Sequence, residues 1–326
     1  MDVDATIDPE IAAALAESPI GQIDFGSWDV TTVPTMRAAM ENMPRPELPP
    51  PTVSSRDVVV DTTDDGAEPA LRIYGEGGAG GRACIYWIHG GGYMFGSGLM
   101  RDARLERWAE EYDCVVVSVE YRLAPEHPYP APLDDCYAGL AWTARNAGDL
   151  GIDPGRIAVV GASAGGGLAA GLALLARDRG EVAVDYQLLI YPMIDDRNRT
   201  ASSRIVGAPV WSRDANLLGW RAYLGTDPGG DDVPVYAAPA RATDLAGLPP
   251  TFIGVGTLDV FRDENLDYAL RLLAAGVPTE VHVYPGACHG FEMIMPFADV
   301  SQRCQRDIDD ALGRALQPRA TDVRSS

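Results

Sequence analysis

The chain has 326 residues, 46% of them apolar, and sets 26 basic against 47 acidic side chains for a formal net charge of -21. That size and apolar share suffice for one large core with a small accessory layer. The acidic excess excludes nucleic acid as a partner and disfavours polyanionic substrates, because most of the surface would repel them.

All 26 basic residues are arginine, which removes lysine Schiff-base chemistry, a P-loop lysine and a Ser-Lys dyad. The five cysteines, Cys84, Cys114, Cys136, Cys288 and Cys304, form no CxxC pair, so neither a disulfide framework nor a zinc cluster is expected. No stretch approaches the roughly 18 continuous apolar residues of a spanning helix, and the acidic start "MDVDATIDPE" lacks the basic region of a signal peptide. These features predict a soluble, cytoplasmic protein with no stable membrane association, no metal and no cofactor.

The first fifty residues differ in texture from the rest. "DPEIAAALAE" suits a short helix, "PTMRAAMENM" a second, and "PRPELPPPTVSS" an extended connector. Residues 1–50 are therefore expected to form an appended segment, with residues 51–326 as the main domain. An alternating strand "RDVVVDTT" and a second at "ALRIYGE" follow, and the glycine turn "EGGAGG" after them suits a hairpin. Apolar strand candidates then recur at 83–88, 114–121, 156–161, 186–191, 251–256 and 279–284, with helical stretches "RDARLERWAEEY", "LDDCYAGLAWTARNA", the run after Ser163, and "RDENLDYALRLLAAG" between them. Such alternation predicts an α/β fold with a mostly parallel, doubly wound sheet. A last helix over 296–316 places Phe297, Val300, Cys304, Ile308, Leu312 and Leu316 on one face. The long interruption at 192–250 holds Trp211, Leu217, Leu218, Trp220 and Tyr223 on one helix and is expected to fold over an edge of the sheet.

Gly161-Ala162-Ser163-Ala164-Gly165 stands where a buried strand meets a helix. Glycines two before and two after the serine remove the side chains that would collide in a sharp turn, and the helix N-terminus favours developing negative charge. A dinucleotide loop is the competing reading, since Gly165-Gly166-Gly167-Leu168-Ala169-Ala170 fits GxGxxA, but serine stands where the strand-end fingerprint needs its second glycine. A nucleophilic serine needs amide donors for its oxyanion. His89-Gly90-Gly91-Gly92 directly follows the strand at 83–88 and, with the N-H of Ala164, supplies them.

Only four histidines exist. His89 belongs to the glycine loop, His127 to the proline-bracketed "APEHPYPAP", and His282 to a strand, which leaves His289 in "YPGACHGF" as the base. Asp259 is the first carboxylate after "TFIGVG", on the same rim, and suits the acid that fixes the imidazole's tautomer. Asp263 and Glu264 fall where helix-start acids are expected for capping. "YRLAPEHPYPAPLDD" reads as structural, its prolines holding a non-helical path into a helix from Leu133.

Together HGGG, GxSxG, "YRLAPEHPYPAPLDD", "DVFRDE" and "HGF" resemble the hormone-sensitive-lipase-like esterases, the bacterial family IV branch of the α/β-hydrolases, over about residues 56–316. The resemblance implies a helical cap made by residues 1–50 and 192–250. It implies Ser163, Asp259 and His289 as a triad, with Gly90, Gly91, Gly92 and Ala164 around the oxyanion. It also implies dimerisation through the edge strand near 279–284. Ala162 departs from the family, whose residue before the nucleophile is usually Asp or Thr and can hydrogen-bond. The expected activity is hydrolysis of short-chain acyl esters through an acyl-enzyme. An amidase or deacetylase with the same triad, or a silent ligand-binding protein on the same fold, stand as alternatives.

Overall fold

The computed structural model describes residues 3, 6–42, 48–60, 66–77, 80–100 and 102–318. Its sheet has eight strands, β1 (Ser55–Val59), β2 (Ala70–Tyr74), β3 (Arg82–Ile88), β4 (Val115–Glu120), β5 (Ile152–Ala162), β6 (Tyr186–Ile190), β7 (Thr251–Gly256) and β8 (Thr279–Tyr284), in the order β1-β2-β4-β3-β5-β6-β7-β8. Strand β2 runs antiparallel to β1 and β4, and β3 to β8 are mutually parallel. The central strands are apolar on both faces because helices cover both, which is why they read as continuous apolar runs.

The helices are α1 (Pro9–Glu17), α2 (Val33–Glu41), α3 (Ala103–Glu111), α4 (Ala131–Arg145), α5 (Ala147–Leu150), α6 (Ala164–Arg179), α7 (Arg213–Leu224), α8 (Arg262–Ala274), α9 (Phe291–Ile294) and α10 (Asp299–Ala315). Helix α6 is buried from Ala164 to Ala176, as its all-round apolar sequence requires. Among the described residues, no helix is long and apolar enough to cross a membrane.

Four expectations are corrected. The hairpin is β1–β2, not the turn at "EGGAGG": β4 lies between β2 and β3, so that turn links strands that do not pair. Gly78 and Ala79 within it lie outside the described residues, as do residues 61–63 of the first strand candidate, Met43 of the second helix candidate and residues 44–47 of the connector. Phe297 is 87% exposed because the last helix starts only at Asp299, while Val300, Cys304, Ile308 and Leu312 are buried as expected. Helix α4 begins at Ala131, with Pro132 inside the first turn, where a missing N-H costs nothing. Asp263 and Glu264 do not cap α8. Asp263 accepts from the N-H of Ser202 at 2.7 Å, and the buried Glu264 accepts from those of Ile194 and Asp195 at 3.0 and 3.2 Å, fastening the segment after β6 onto α8. Burial pushes the Glu264 carboxyl well above its ordinary 4.5.

The N-terminal segment and the 192–250 insertion meet over the carboxyl ends of the parallel strands. Gly26 lies so close to α7 that a Cβ there would sit 2.7 Å from that of Asp214, and the Phe25 and Trp211 rings are 5.8 Å apart.

Candidate active site

Strand β5 delivers Ser163 at φ 57° and ψ -122°, a left-handed turn residue that L-amino acids avoid at a cost of about 1–3 kcal/mol. The flanking glycines permit it. A Cβ on Gly161 would lie 2.2 Å from the Gly165 carbonyl oxygen, and one on Gly165 would lie 2.1 Å from that of Ile88. The main chain braces the elbow: Ser163 N-H donates to Ile190 O at 2.9 Å, and Ser163 O accepts from Gly167 and Met193 N-H at 3.0 Å each. Ala162 contributes no side-chain bond to this support.

The parallel sheet brings the other two predicted residues to the same rim. Gly256 ends β7 and has no side chain to hold off the loop after β8, since a Cβ there would be 2.2 Å from Ala287 O. Leu258 N-H can therefore bond Ala287 O at 2.9 Å, which sets His289 beside Asp259. His289 Nδ1-H donates to Asp259 Oδ2 at 2.8 Å, and Ser163 Oγ-H donates to His289 Nε2 at 2.8 Å. The other carboxylate oxygen, Oδ1, accepts from Phe261 N-H at 2.9 Å. Asp259 is fully buried, and Ser163 and His289 are 7% and 6% exposed.

Two features of this region are not readable from motifs. The Tyr191 ring packs edge-on against His289 at 4.7 Å, and Phe261 does the same at 5.1 Å. Behind them Tyr191 OH donates to the buried Glu292 at 2.7 Å, and Glu292 faces Arg104 at 3.4 Å, whose guanidinium lies over Trp87. The tyrosine and glutamate lie 101 residues apart, so no local pattern announces them. Cys288, beside the histidine, is a poor nucleophile, because burial pushes its thiol up to about 12.

The glycine loop closes over the serine. Gly90 lies against Ala162 O and Ser163 Cβ, and Gly92 against the Trp211 ring, 2.3 Å from the position a Cβ would take. Gly91, Gly92 and Tyr93 have φ values of 117°, 60° and 65°. Among the described residues, no hydrogen-bond acceptor takes the N-H groups of Gly91, Gly92 or Ala164.

The remaining histidines stand apart. His89 stacks on Tyr121 at 4.2 Å and bonds Gly90 O through Nδ1 at 2.8 Å, bracing the loop, and burial lowers its pKa below 6.5 despite that carbonyl. His127 is exposed, and His282 bonds Glu280 on the edge strand.

The rings of Phe25, Phe95 and Trp211 are buried over this site, with Phe25 5.9 Å from Phe95 and Trp211 6.2 Å from His289. A surface cleft of about 760 Å³ lined by Arg37, Glu68, Leu99 and Glu126 includes none of the three residues.

Comparison with known proteins finds the same fold and named esterases among the relatives. A family model described as the alpha/beta hydrolase fold matches residues 85–293. Esterase LipI of Mycobacterium tuberculosis is 36% identical over 297 residues, covering 89% of each chain. Carboxylesterase NlhH of the same organism is 42% identical over 225 residues, 66% of this chain and 69% of that one. Among solved structures, a bacterial heroin esterase superposes with a TM-score of 0.87 at 42% identity, covering 96% of this chain and 99% of the other. On these matches and its own motifs, the chain belongs to the α/β-hydrolase fold family and, within it, to the hormone-sensitive-lipase-like esterases.

Proposed function

We propose that the protein is a carboxylesterase for small acyl esters, with Ser163 as nucleophile, His289 as general base and then acid, and Asp259 as its orienting carboxylate. The observation that carries this reading is the unbroken hydrogen-bonded chain Ser163 Oγ, His289 Nε2, His289 Nδ1, Asp259 Oδ2, with both links at 2.8 Å. Ser163 Oγ attacks the ester carbonyl as its proton passes to His289 Nε2. The carbonyl oxygen becomes an oxyanion facing the free amides of Gly91, Gly92 and Ala164, with Gly90 giving the close approach. Collapse expels the alcohol, which takes the proton back from His289 and leaves an acyl-serine. A water activated by the same imidazole then releases the acid. Neither half-reaction calls for a cofactor or a metal.

In this reading residues 1–50 and 192–250 form the cap, residues 51–326 carry the catalytic domain, and the buried rings of Phe25, Phe95 and Trp211 wall a compact pocket. Each buried methylene contributes about 0.8 kcal/mol until the pocket is full. The acyl optimum is therefore short, about four to six carbons on that reasoning. The five cysteines are free, buried thiols, which suits a reducing cytoplasm. Strand β8 lies at one edge of the sheet, and a homodimer pairing there is part of the proposal. Light scattering that finds a monomer at every concentration removes that part.

Initial rates on an acyl-length series of aryl esters, measured beside matched anilides, test the activity. Faster turnover of anilides would move the reading to an amidase. An absent burst of alcohol on every ester would leave a silent binding protein.

A further inference from the structure

Arg37 belongs to α2, yet every hydrogen bond of its guanidinium ends around the glycine loop. Nε donates to Met94 O at 2.7 Å, Nη2 donates to Ala124 O at 2.7 Å, and the fork meets Glu126 Oε1 and Oε2 at 3.0 Å each. The arginine side chain is 15% exposed.

The two carbonyls it joins hold the loop's least favourable stretch. Gly91, Gly92 and Tyr93 take three successive left-handed conformations, and a tyrosine does not adopt one without outside support. The turn is closed by Met94 and Phe95 N-H on Gly91 O at 3.0 and 2.9 Å, and Tyr93 O accepts from Ala124 N-H at 2.9 Å. The guanidinium thus ties a carbonyl of this turn, that of Met94, to the carbonyl of Ala124, whose N-H grips Tyr93. A planar, always charged fork suits this task, because it serves two carbonyls and a carboxylate at once. Both carbonyls bond the fork directly, and Glu126 meets it from the more exposed side.

The geometry points to Arg37 as a positioning residue for the oxyanion hole, locking the Gly91–Phe95 turn so that the loop amides keep their aim at the tetrahedral intermediate. The inference rests on the esterase reading above. It differs from a plain anchor for the N-terminal segment in what it disturbs: an anchor governs substrate fit, whereas a misaimed donor weakens the transition state and leaves ground-state binding alone.

The test uses the full chain with Arg37→Ala, Arg37→Lys and Glu126→Gln. Readouts are kcat and KM on 4-nitrophenyl butyrate, inhibition by a trifluoromethyl ketone that adds Ser163 Oγ as a tetrahedral hemiketal, and stoichiometric labelling of Ser163 by paraoxon. For Arg37→Ala, kcat should fall by about 10- to 100-fold with KM within about threefold, and ketone affinity should fall by the same factor as kcat/KM. Arg37→Lys should fall between, since one ammonium reaches only part of the acceptor set, and low-millimolar guanidinium should restore part of the Arg37→Ala activity. Glu126→Gln should stay within about threefold, as both carbonyl contacts persist. A rise in KM with unchanged kcat and ketone affinity overturns the inference, as does a Glu126→Gln loss equal to that of Arg37→Ala. If Arg37→Ala fails to fold, Arg37→Lys decides, and unchanged kcat and ketone affinity there also overturn it. A wild-type chain that neither hydrolyses esters nor takes label at Ser163 would sink the esterase reading itself. Normal labelling with unchanged ketone affinity sinks only the role of Arg37.

Discussion

Replacing Asp259 by Asn changes one atom's chemistry at a fully buried site, and the hydrogen bonds around it decide the outcome. Oδ1 accepts from Phe261 N-H at 2.9 Å and Oδ2 from His289 Nδ1-H at 2.8 Å. An asparagine has one oxygen for these two donors. If its oxygen faced the histidine, its NH₂ would confront the N-H of Phe261 and a buried donor would lose its partner, at about 1–3 kcal/mol. The favoured rotamer keeps the oxygen on Phe261 and turns the NH₂ toward Nδ1, which must then become the acceptor. The imidazole proton moves to Nε2 and faces Ser163 Oγ across 2.8 Å, so the base can no longer receive the serine's proton. The expected loss is about 10⁴-fold in kcat, near 5 kcal/mol of transition-state stabilisation. Thermal stability should change little, because the Phe261 bond survives. Stopped-flow kinetics on 4-nitrophenyl butyrate, with active sites counted by paraoxon, reads the effect directly. An Asp259→Asn enzyme within tenfold of wild type would refute the orienting role and the tautomer argument together.

Ser163→Ala and His289→Ala should each lose about 10⁴-fold or more in kcat with the fold intact by circular dichroism; a dead His127→Ala beside an active His289→Ala would reverse the assignment. Trp211→Ala should move the acyl-length maximum of kcat/KM to longer chains, with each newly accommodated methylene contributing up to about fourfold. An unchanged profile, or a wild-type optimum at sixteen carbons, would defeat the compact-pocket argument. His89 gives a pH signature: its native pKa is lowered below 6.5, burial being the largest cause, so the unfolded chain binds a proton that the native one refuses. Stability should therefore fall as pH drops below 6.5, with a slope approaching about 1.4 kcal/mol per unit. Denaturant unfolding at several pH values should show that slope flattened in His89→Gln, and equal slopes in the two proteins would remove His89 as its source.

Much of the site was legible because its signals are local. Ser163 needs Gly161 and Gly165 within two positions, since a Cβ on either would strike backbone at 2.2 or 2.1 Å, and that requirement is written in five consecutive letters. Asp259 and His289 follow the ends of β7 and β8, and parallel strands with covering helices carry successive strand ends to one rim, so chain order alone pointed to their meeting. The apolar runs likewise marked buried strands, although not which strands pair. Neither β2's place beside β4 nor the hairpin with β1 follows from composition, because pairing is settled by the whole sheet.

Only the folded chain decided the supports. Arg37 and Glu126 lie 89 residues apart, and Glu292 and Arg104 188 apart; each charge looks like unpaired surface until the fold supplies its partner. Asp263 and Glu264 had the right place for helix caps, yet they bind amides of the segment after β6, because a carboxyl bonds whichever unpaired N-H groups the packing brings within reach. Local sterics wrote the turn at Ser163 into the sequence. The contacts around the glycine loop and His289 depend on desolvation and long-range packing, which exist only once the core has closed.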